Sequence, residues 1–311
     1  MKIGLVGMGW VGSSVAISTL HTGLPDTLLL ADARSGLAEG EAMDLSHGAA
    51  FYPATEVRAA GVAEMRDADA VVIAAGRGGK PGESRLDLLA ENARIVGEIS
   101  AELRGARGLL VVVTNPVDVM TQVAVEASGL PPSRVLGTGT MLDTARLRQI
   151  IGRELRIEPR SIHAQVIGEH GDSSVVVWSS ASIGGVSLRA WPGWTADKEP
   201  RIEQEVRGAA QAIISRKGAT NHAIGLVTAA LLRWALRGER RVLNVSRVQE
   251  GAFGLDRVAL SLPTVVSREG AVSVMELALD GRERRALDRS AEILREAHRS
   301  IGARVSPASG I

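Results

Sequence analysis

Lys2-Ile3-Gly4-Leu5-Val6-Gly7-Met8-Gly9-Trp10-Val11-Gly12-Ser13 runs from an apolar strand through glycines spaced G-x-G-x-x-G into a helical stretch, Ser13 to Thr22. In the order strand, glycine turn, helix, each glycine has a task. Gly7 permits the tight turn, Gly9 lets the backbone approach a pyrophosphate, and Gly12 lets the helix pack on the strand. The first helical amides then face negative charge. That spacing alone is a weak signal. It gains weight from the next strand, Thr27 to Ala31, which ends on Asp32, twenty residues past Gly12. A carboxylate there accepts both hydroxyls of an adenosine ribose and repels a 2′-phosphate, so the combination predicts an NAD site rather than an NADP one. The alternative is a glycine turn followed by an incidental acid.

Outward from this unit the pattern repeats. Helical stretches Arg34 to His47, Leu86 to Arg104 and Val119 to Ser128 alternate with strands near Val57 to Ala60, Ala70 to Ala74, Leu109 to Val113 and Val135. The continuous apolar runs are those of parallel strands covered on both faces. The expected fold class is α/β, a Rossmann-type doubly wound parallel sheet with a second α+β substrate domain. The division is expected at residues 1–140 for the NAD-binding part and 141–311 for the substrate part. Asn115, in Thr114-Asn115-Pro116, falls at the carboxyl end of a strand, where open parallel sheets bind ligands; a plain turn residue is the other reading. Residues 76–85, rich in glycine, read as a lid carrying Arg85. A phosphate loop is excluded because Lys80 is followed by Pro81.

Two further stretches carry ionisable groups. Leu142-Asp143-Thr144-Ala145-Arg146 begins a helix, and Asp143 and Arg146, three apart, share a face. They make either a surface ion pair or, if the helix points into a cleft, an anion to orient a base and a fork for a carboxylate. Val166-Ile167-Gly168-Glu169-His170-Gly171-Asp172 ends an apolar run on a histidine between glycines. Such a ring titrates near neutrality and can be presented into a cleft. Beyond it, segments near 242–245, 258–262 and 272–277 read as a mainly antiparallel sheet. A last helix, Arg282 to Ile301, carries Leu287, Ala291, Leu294 and Ile301 on one stripe.

Composition excludes whole classes of activity. The 36 basic and 35 acidic residues are interspersed and nearly cancel, so nothing favours nucleic acid or an anionic membrane. With no cysteine, disulfides, thiolate metal sites and cysteine nucleophiles are ruled out. No histidine pair forms a compact metal motif, so no metal is expected. Absence of a signal-type segment and of any long apolar run points to the cytoplasm.

Taken together, Gly7 to Gly12, Asp32, Gly82-Glu83-Ser84-Arg85, Thr114-Asn115-Pro116, Leu142 to Arg146 and Gly168 to Asp172 resemble the L-lactate and malate dehydrogenase family across nearly the whole chain. The resemblance implies hydride transfer between NAD and a small 2-hydroxy acid, with L-lactate and pyruvate as the leading pair. It implies roles residue by residue. His170 is the acid–base group, Asp143 its partner, and Arg85 the lid cation that polarises the carbonyl. Arg146 clamps the substrate carboxylate, Asn115 holds the reacting oxygen, and Thr220 lines the pocket. Gly7, Gly9, Val11, Gly12, Asp32, Gly76, Thr114 and Asn115 are the expected cofactor contacts. At the family's specificity position, where lactate enzymes carry glutamine and malate enzymes arginine, this chain has Gly79. Without a cation there, malate forgoes a charge-assisted bond worth roughly 1.5–3 kcal/mol. That disfavours a malate role and leaves room for bulkier 2-oxo acids, unless Arg77 swings inward. Arg148 and His163 match positions that bind fructose 1,6-bisphosphate in bacterial members, and a homotetramer is implied. Two alternatives stand beside this one: a catalytically silent NAD sensor, and an NAD-dependent glycosidase of the same fold, whose metal site needs a cysteine that this chain lacks.

Overall fold

The computed structural model describes residues 1–79 and 84–305, apart from the side chains of Arg85 and residues 302–305. Six strands, β1 (Lys2–Val6), β2 (Thr27–Ala31), β3 (Glu56–Ala59), β4 (Ala70–Ile73), β5 (Leu109–Val112) and β6 (Val135–Gly137), lie parallel in the order 3-2-1-4-5-6. That is the order of a doubly wound dinucleotide fold. Helices α1 (Trp10–His21), α2 (Ser35–His47), α3 (Arg85–Glu102) and α4 (Val117–Ser128) cover its two faces.

Alternation along the strands explains why both faces are apolar. Leu110 and Val112 of β5 join Val71 and Ile73 of β4 in one core, under α3 and α4. Leu109 and Val111 face the other way, with Ile3, Leu5 and Val72, under α1. Every residue of β4 and β5 is buried, which is what their unbroken apolar runs require. Burying each such side chain is worth about 1.5–3 kcal/mol.

The second half contributes α5 (Met141–Leu155), β7 (Ile162–Ile167), β8 (Val175–Ile183), β9 (Val186–Ser187), α6 (Glu199–Lys217) and α7 (His222–Leu236). After these come β10 (Arg241–Glu250), β11 (Asp256–Ser267), β12 (Gly270–Val274) and α8 (Gly281–Val305). Strands β7, β8 and β9 form a small antiparallel sheet on which α5 packs through Leu147, Ile150 and Ile151. Strands β10 to β12 are antiparallel as expected but do not form a sheet of their own. They extend the parallel sheet past β6 into nine strands. The reason is the short edge at β6, whose unpaired groups β10 covers through the Ser246–Gly137 pair. A side chain at Gly137 would fall 2.3 Å from the Thr121 hydroxyl and 2.9 Å from Ser246 Cβ, so only glycine lets the strands meet.

Helix boundaries shift by a few residues. Helix α1 starts at Trp10, not Ser13, which puts Gly12 inside its first turn; a Cβ there would lie 1.8 Å from the Gly7 carbonyl oxygen. Helix α7 starts at His222, leaving Thr220 in the preceding loop. The four expected apolar positions of α8 are all buried. Among the described residues no helix is long and apolar enough to cross a membrane.

Candidate active site

At the carboxyl ends of β1, β2 and β4 a groove of about 860 Å3 is lined by Gly7, Gly9, Asp32, Ala60, Gly76 and Ile99. Gly7 turns with φ +97°, and a side chain on it would strike the Ala75 backbone at 2.4 Å. A Cβ built on Gly9 would meet no described residue beyond its chain neighbours within 4 Å, so the backbone there borders open space on the groove side. Helix α1 begins there with no side-chain cap and no acid in its first turn. Its leading amides and positive dipole end are thus open to a pyrophosphate. The carboxylate of Asp32 is fixed by Met8 N–H, donating to Oδ2 at 2.8 Å, and Arg34 N–H, donating to Oδ1 at 3.0 Å. Thr114 donates to the Ala75 carbonyl at 2.6 Å, and a Cβ on Gly76 would meet Thr114 Cγ2 at 2.5 Å, so these two expected contacts pack on each other. Val11 lies in the first turn of α1. The residues present fit an NAD molecule.

A second cleft of about 790 Å3 is lined by Arg77, Asn115 and His170 and by the apolar Leu88, Val119 and Ile293. His170 reaches it because Gly168, with φ +82°, leaves β7 and exchanges backbone hydrogen bonds with Ser261 on β11. The His170 Nδ1 lies 2.5 Å from Asp143 Oδ2, and Arg146 donates to the other oxygen, Oδ1, at 2.9 Å. The interior alternative therefore holds over the surface ion pair: both α5 side chains are largely buried, at 7% exposure for Asp143 and 13% for Arg146. Asp143 also sits in the first turn of its helix, where the dipole favours negative charge.

The charges hold one another in place. Burial pushes the His170 ring down from its ordinary value, but the Asp143 carboxylate outweighs burial and raises it. Burial pushes Asp143 up, and the His170 and Arg146 charges outweigh that and hold it below the usual carboxylate range. A raised histidine contributes stability that is complete below its unfolded value and is lost as pH rises through the folded one. A lowered acid contributes stability that is complete above its unfolded value and is lost as pH falls through the folded one. Both contributions are complete between 3.8 and 6.5, the two ordinary values. The denaturation free-energy difference between the parent and His170→Gln is expected to be largest in that window and to shrink on both sides; a difference that grows above pH 8 would contradict the pairing.

Asn115 takes its place through its backbone carbonyl, which accepts from Asn92 Nδ2 at 3.0 Å; the Asn115–Pro116 peptide is cis. Among the described residues, a Cβ on Gly79 would meet Leu88 Cδ2 at 3.4 Å. Arg85 is the first residue of α3, and its side chain lies outside the described residues, as do lid residues 80–83. Thr220 is not among the residues lining the cleft. Arg148 and His163 lie elsewhere, on α5 and β7: Arg148 Nε donates to the Ala164 carbonyl at 3.0 Å, beside the exposed His163.

Sequence reasoning passed over Asp118 and Asn92, both buried polar residues of the cleft region. Asp118, two residues into α4, accepts the His170 backbone N–H at 2.7 Å. Its one visible signal was an acid among the apolar residues that open that helix. Among the described residues no group of His, Asp and Glu is arranged to hold a metal ion.

Comparison with known proteins agrees with this geometry. Residues 1–137 match the lactate/malate dehydrogenase NAD binding domain, and residues 140–304 match the lactate/malate dehydrogenase alpha/beta C-terminal domain. The L-lactate dehydrogenase of Thermus aquaticus is 43% identical over 309 residues, covering 97% of this chain and 100% of that protein. That of Synechococcus sp. strain JA-3-3Ab is 42% identical over 304 residues, covering 97% and 99%. Among solved structures, the minor L-lactate dehydrogenase of Enterococcus mundtii in a ligand-bound form superposes with a TM-score of 0.94 at 36% identity, covering 96% of this chain and 98% of that one. With both of its halves matched and its nucleotide groove beside a paired histidine, the chain belongs to the lactate/malate dehydrogenase family.

Proposed function

We propose that the protein is an NAD-dependent L-lactate dehydrogenase, interconverting pyruvate and L-lactate. The observation that carries this is the chain of contacts His170–Asp143–Arg146, whose His170 lines a cleft with Asn115 next to the nucleotide groove. The proposed division of labour is residues 1–140 for the cofactor and 141–311 for the substrate.

NAD, when bound, supplies the acceptor or donor of hydride at C2 of the acid. The chain's own residues handle the proton and the charges. Because Nδ1 faces Asp143, His170 turns Nε2 to the substrate; it removes the hydroxyl proton in oxidation and returns it in reduction. Asp143 holds that tautomer and stabilises the imidazolium. Arg146 clamps the substrate carboxylate, and its fork geometry suits two parallel bonds. Arg85 polarises the carbonyl as the lid closes and excludes water. Thr220, in the loop before α7, completes the pocket wall in the closed state.

Gly79 decides between lactate and malate in this reading. Pyruvate is expected to lead oxaloacetate by about tenfold to a hundredfold in kcat/KM, the worth of one missing charge-assisted bond. The measurement is NADH oxidation by purified protein over pyruvate, oxaloacetate, 2-oxobutyrate and phenylpyruvate. Oxaloacetate in the lead would overturn the assignment and point to Arg77 as the compensating cation.

Regulation and assembly are part of the same proposal. Trp10, Ile17, Met43, Phe51 and Leu226 are large apolar residues left exposed on one chain, which supports association with further copies, as a homotetramer. Fructose 1,6-bisphosphate is the proposed activator, held by Arg148 and His163. It should lower KM for pyruvate in the parent and do nothing in Arg148→Gln; a parent indifferent to it would end that idea. Action in the cytoplasm, without nucleic-acid or membrane partners, fits the interspersed charge.

A further inference from the structure

Asp118 brings a second acid to the back of the catalytic histidine. It is 1% exposed and its Oδ2 accepts the His170 N–H at 2.7 Å. Its Oδ1 makes no well-formed hydrogen bond among the described residues, and neither does the hydroxyl of Ser246, the neighbouring polar group on β10. A buried acid with a merely structural task spends both oxygens on donors. A neutral amide of the same shape would accept the same backbone N–H without the cost of burying a charge. Burial pushes Asp118 up to about 6, and the nearby Ser246 hydroxyl, the His170 N–H and the His170 charge only partly offset it. The expense of the charge therefore calls for something that uses it.

Among the described residues, Arg77 and Asp172 line the same cleft as the ring, and the charged groups packed against it come from three segments. Helix α5 presents Asp143 and Arg146, α4 presents Asp118, and the loop itself carries Glu169, whose carboxylate takes the Ser173 N–H at 3.1 Å. From α8 comes the neutral Ser290, which accepts the Glu169 N–H, and from β10 the neutral Ser246. Arg146 works against the ring's proton, whereas Asp143 and Asp118 both work for it.

We propose that Asp118 is a positioning residue that pins the His170 backbone to helix α4 and holds a negative charge behind the ring, so that His170 keeps its proton to higher pH than Asp143 alone allows. The two groups titrate as a coupled pair, each proton shifting the other. This deepens the dehydrogenase reading and, for its role in turnover, rests on it.

Asp118→Asn keeps the shape and the acceptor for His170 N–H but removes the charge. The alkaline limb of kcat/KM for pyruvate reduction is expected to move down by about one pH unit, and the acid limb for lactate oxidation to move down with it. A uniform loss of activity with both limbs in place would make Asp118 a purely structural residue and overturn the proposal. Should that variant fail to fold, a 13C NMR titration of the histidine rings in the parent protein decides, with His170 assigned by its disappearance in His170→Gln. A ring titrating above its ordinary value, with a second inflection from the acid behind it, is the expected result; a single inflection at any pH, which Asp143 alone explains, overturns it. The NMR arm needs no turnover, so a protein inactive on every 2-oxo acid would count against the dehydrogenase reading while this coupling is still read directly.

Discussion

Replacing His170 with glutamine is expected to lower kcat for pyruvate reduction by roughly 10²–10⁴-fold, the usual worth of a positioned acid–base group. Glutamine can still meet Asp143 through its amide but cannot carry a proton to the alkoxide. NADH affinity should stay within a few-fold, because the groove of Gly7, Gly9 and Asp32 is formed by other elements. The two directions also demand opposite forms of the ring. Reduction needs the imidazolium and falls as pH rises through a value lifted by Asp143; oxidation needs the neutral ring and falls as pH drops through it. Steady-state kinetics in both directions, with NADH binding followed by fluorescence, make the check. A loss below tenfold would remove His170 from the chemistry.

Replacing Arg146 with glutamine should be nearly as damaging, but in a different parameter. Two hydrogen bonds to a carboxylate, at about 1.5–3 kcal/mol each, correspond to roughly 10²–10⁴-fold in kcat/KM. Much of this is expected as raised KM for pyruvate, since the carboxylate is held in the ground state as well as the transition state. Arg146→Lys should recover only part, because a point charge cannot form the paired bonds of the planar fork. A second effect separates this role from packing. Arg146 lowers the His170 ring, so its removal should move the alkaline limb of reduction upward, opposite to the change expected for Asp118→Asn. An unchanged KM with an unchanged pH profile would show that Arg146 serves only as a partner for Asp143.

Much of the candidate site was legible along the chain because its residues fall in short local patterns. The glycine turn and Asp32 lie on one strand–helix–strand unit, so their relation is set by local geometry. Asp143 and Arg146 share a helix face for the same reason. What the pattern left open was whether that face met solvent or a histidine. The answer depends on β7 packing against α5, which brings together residues 27 apart.

Where the sequence reading fell short, contacts between distant segments were decisive. Asp118 stands 52 residues from His170, and nothing in the local run of α4 announces its target. Strands β10 to β12 carry alternation that predicts an antiparallel sheet, but alternation does not say which edge they cover. Their placement beside β6 was settled by an unpaired edge and by the clearance at Gly137.

By itself, the sequence determined the doubly wound sheet and the NAD preference, because each follows from periodicity, turn geometry or spacing within one unit, whereas the roles proposed for the reacting residues came from the resemblance to the family. Only the tertiary structure decided that Asp143 is buried against His170, that a second acid, Asp118, accepts the His170 backbone N–H, and that the last three strands complete the first sheet. Those outcomes depend on which surfaces exclude water from each other, and desolvation is a property of packed segments rather than of any one stretch.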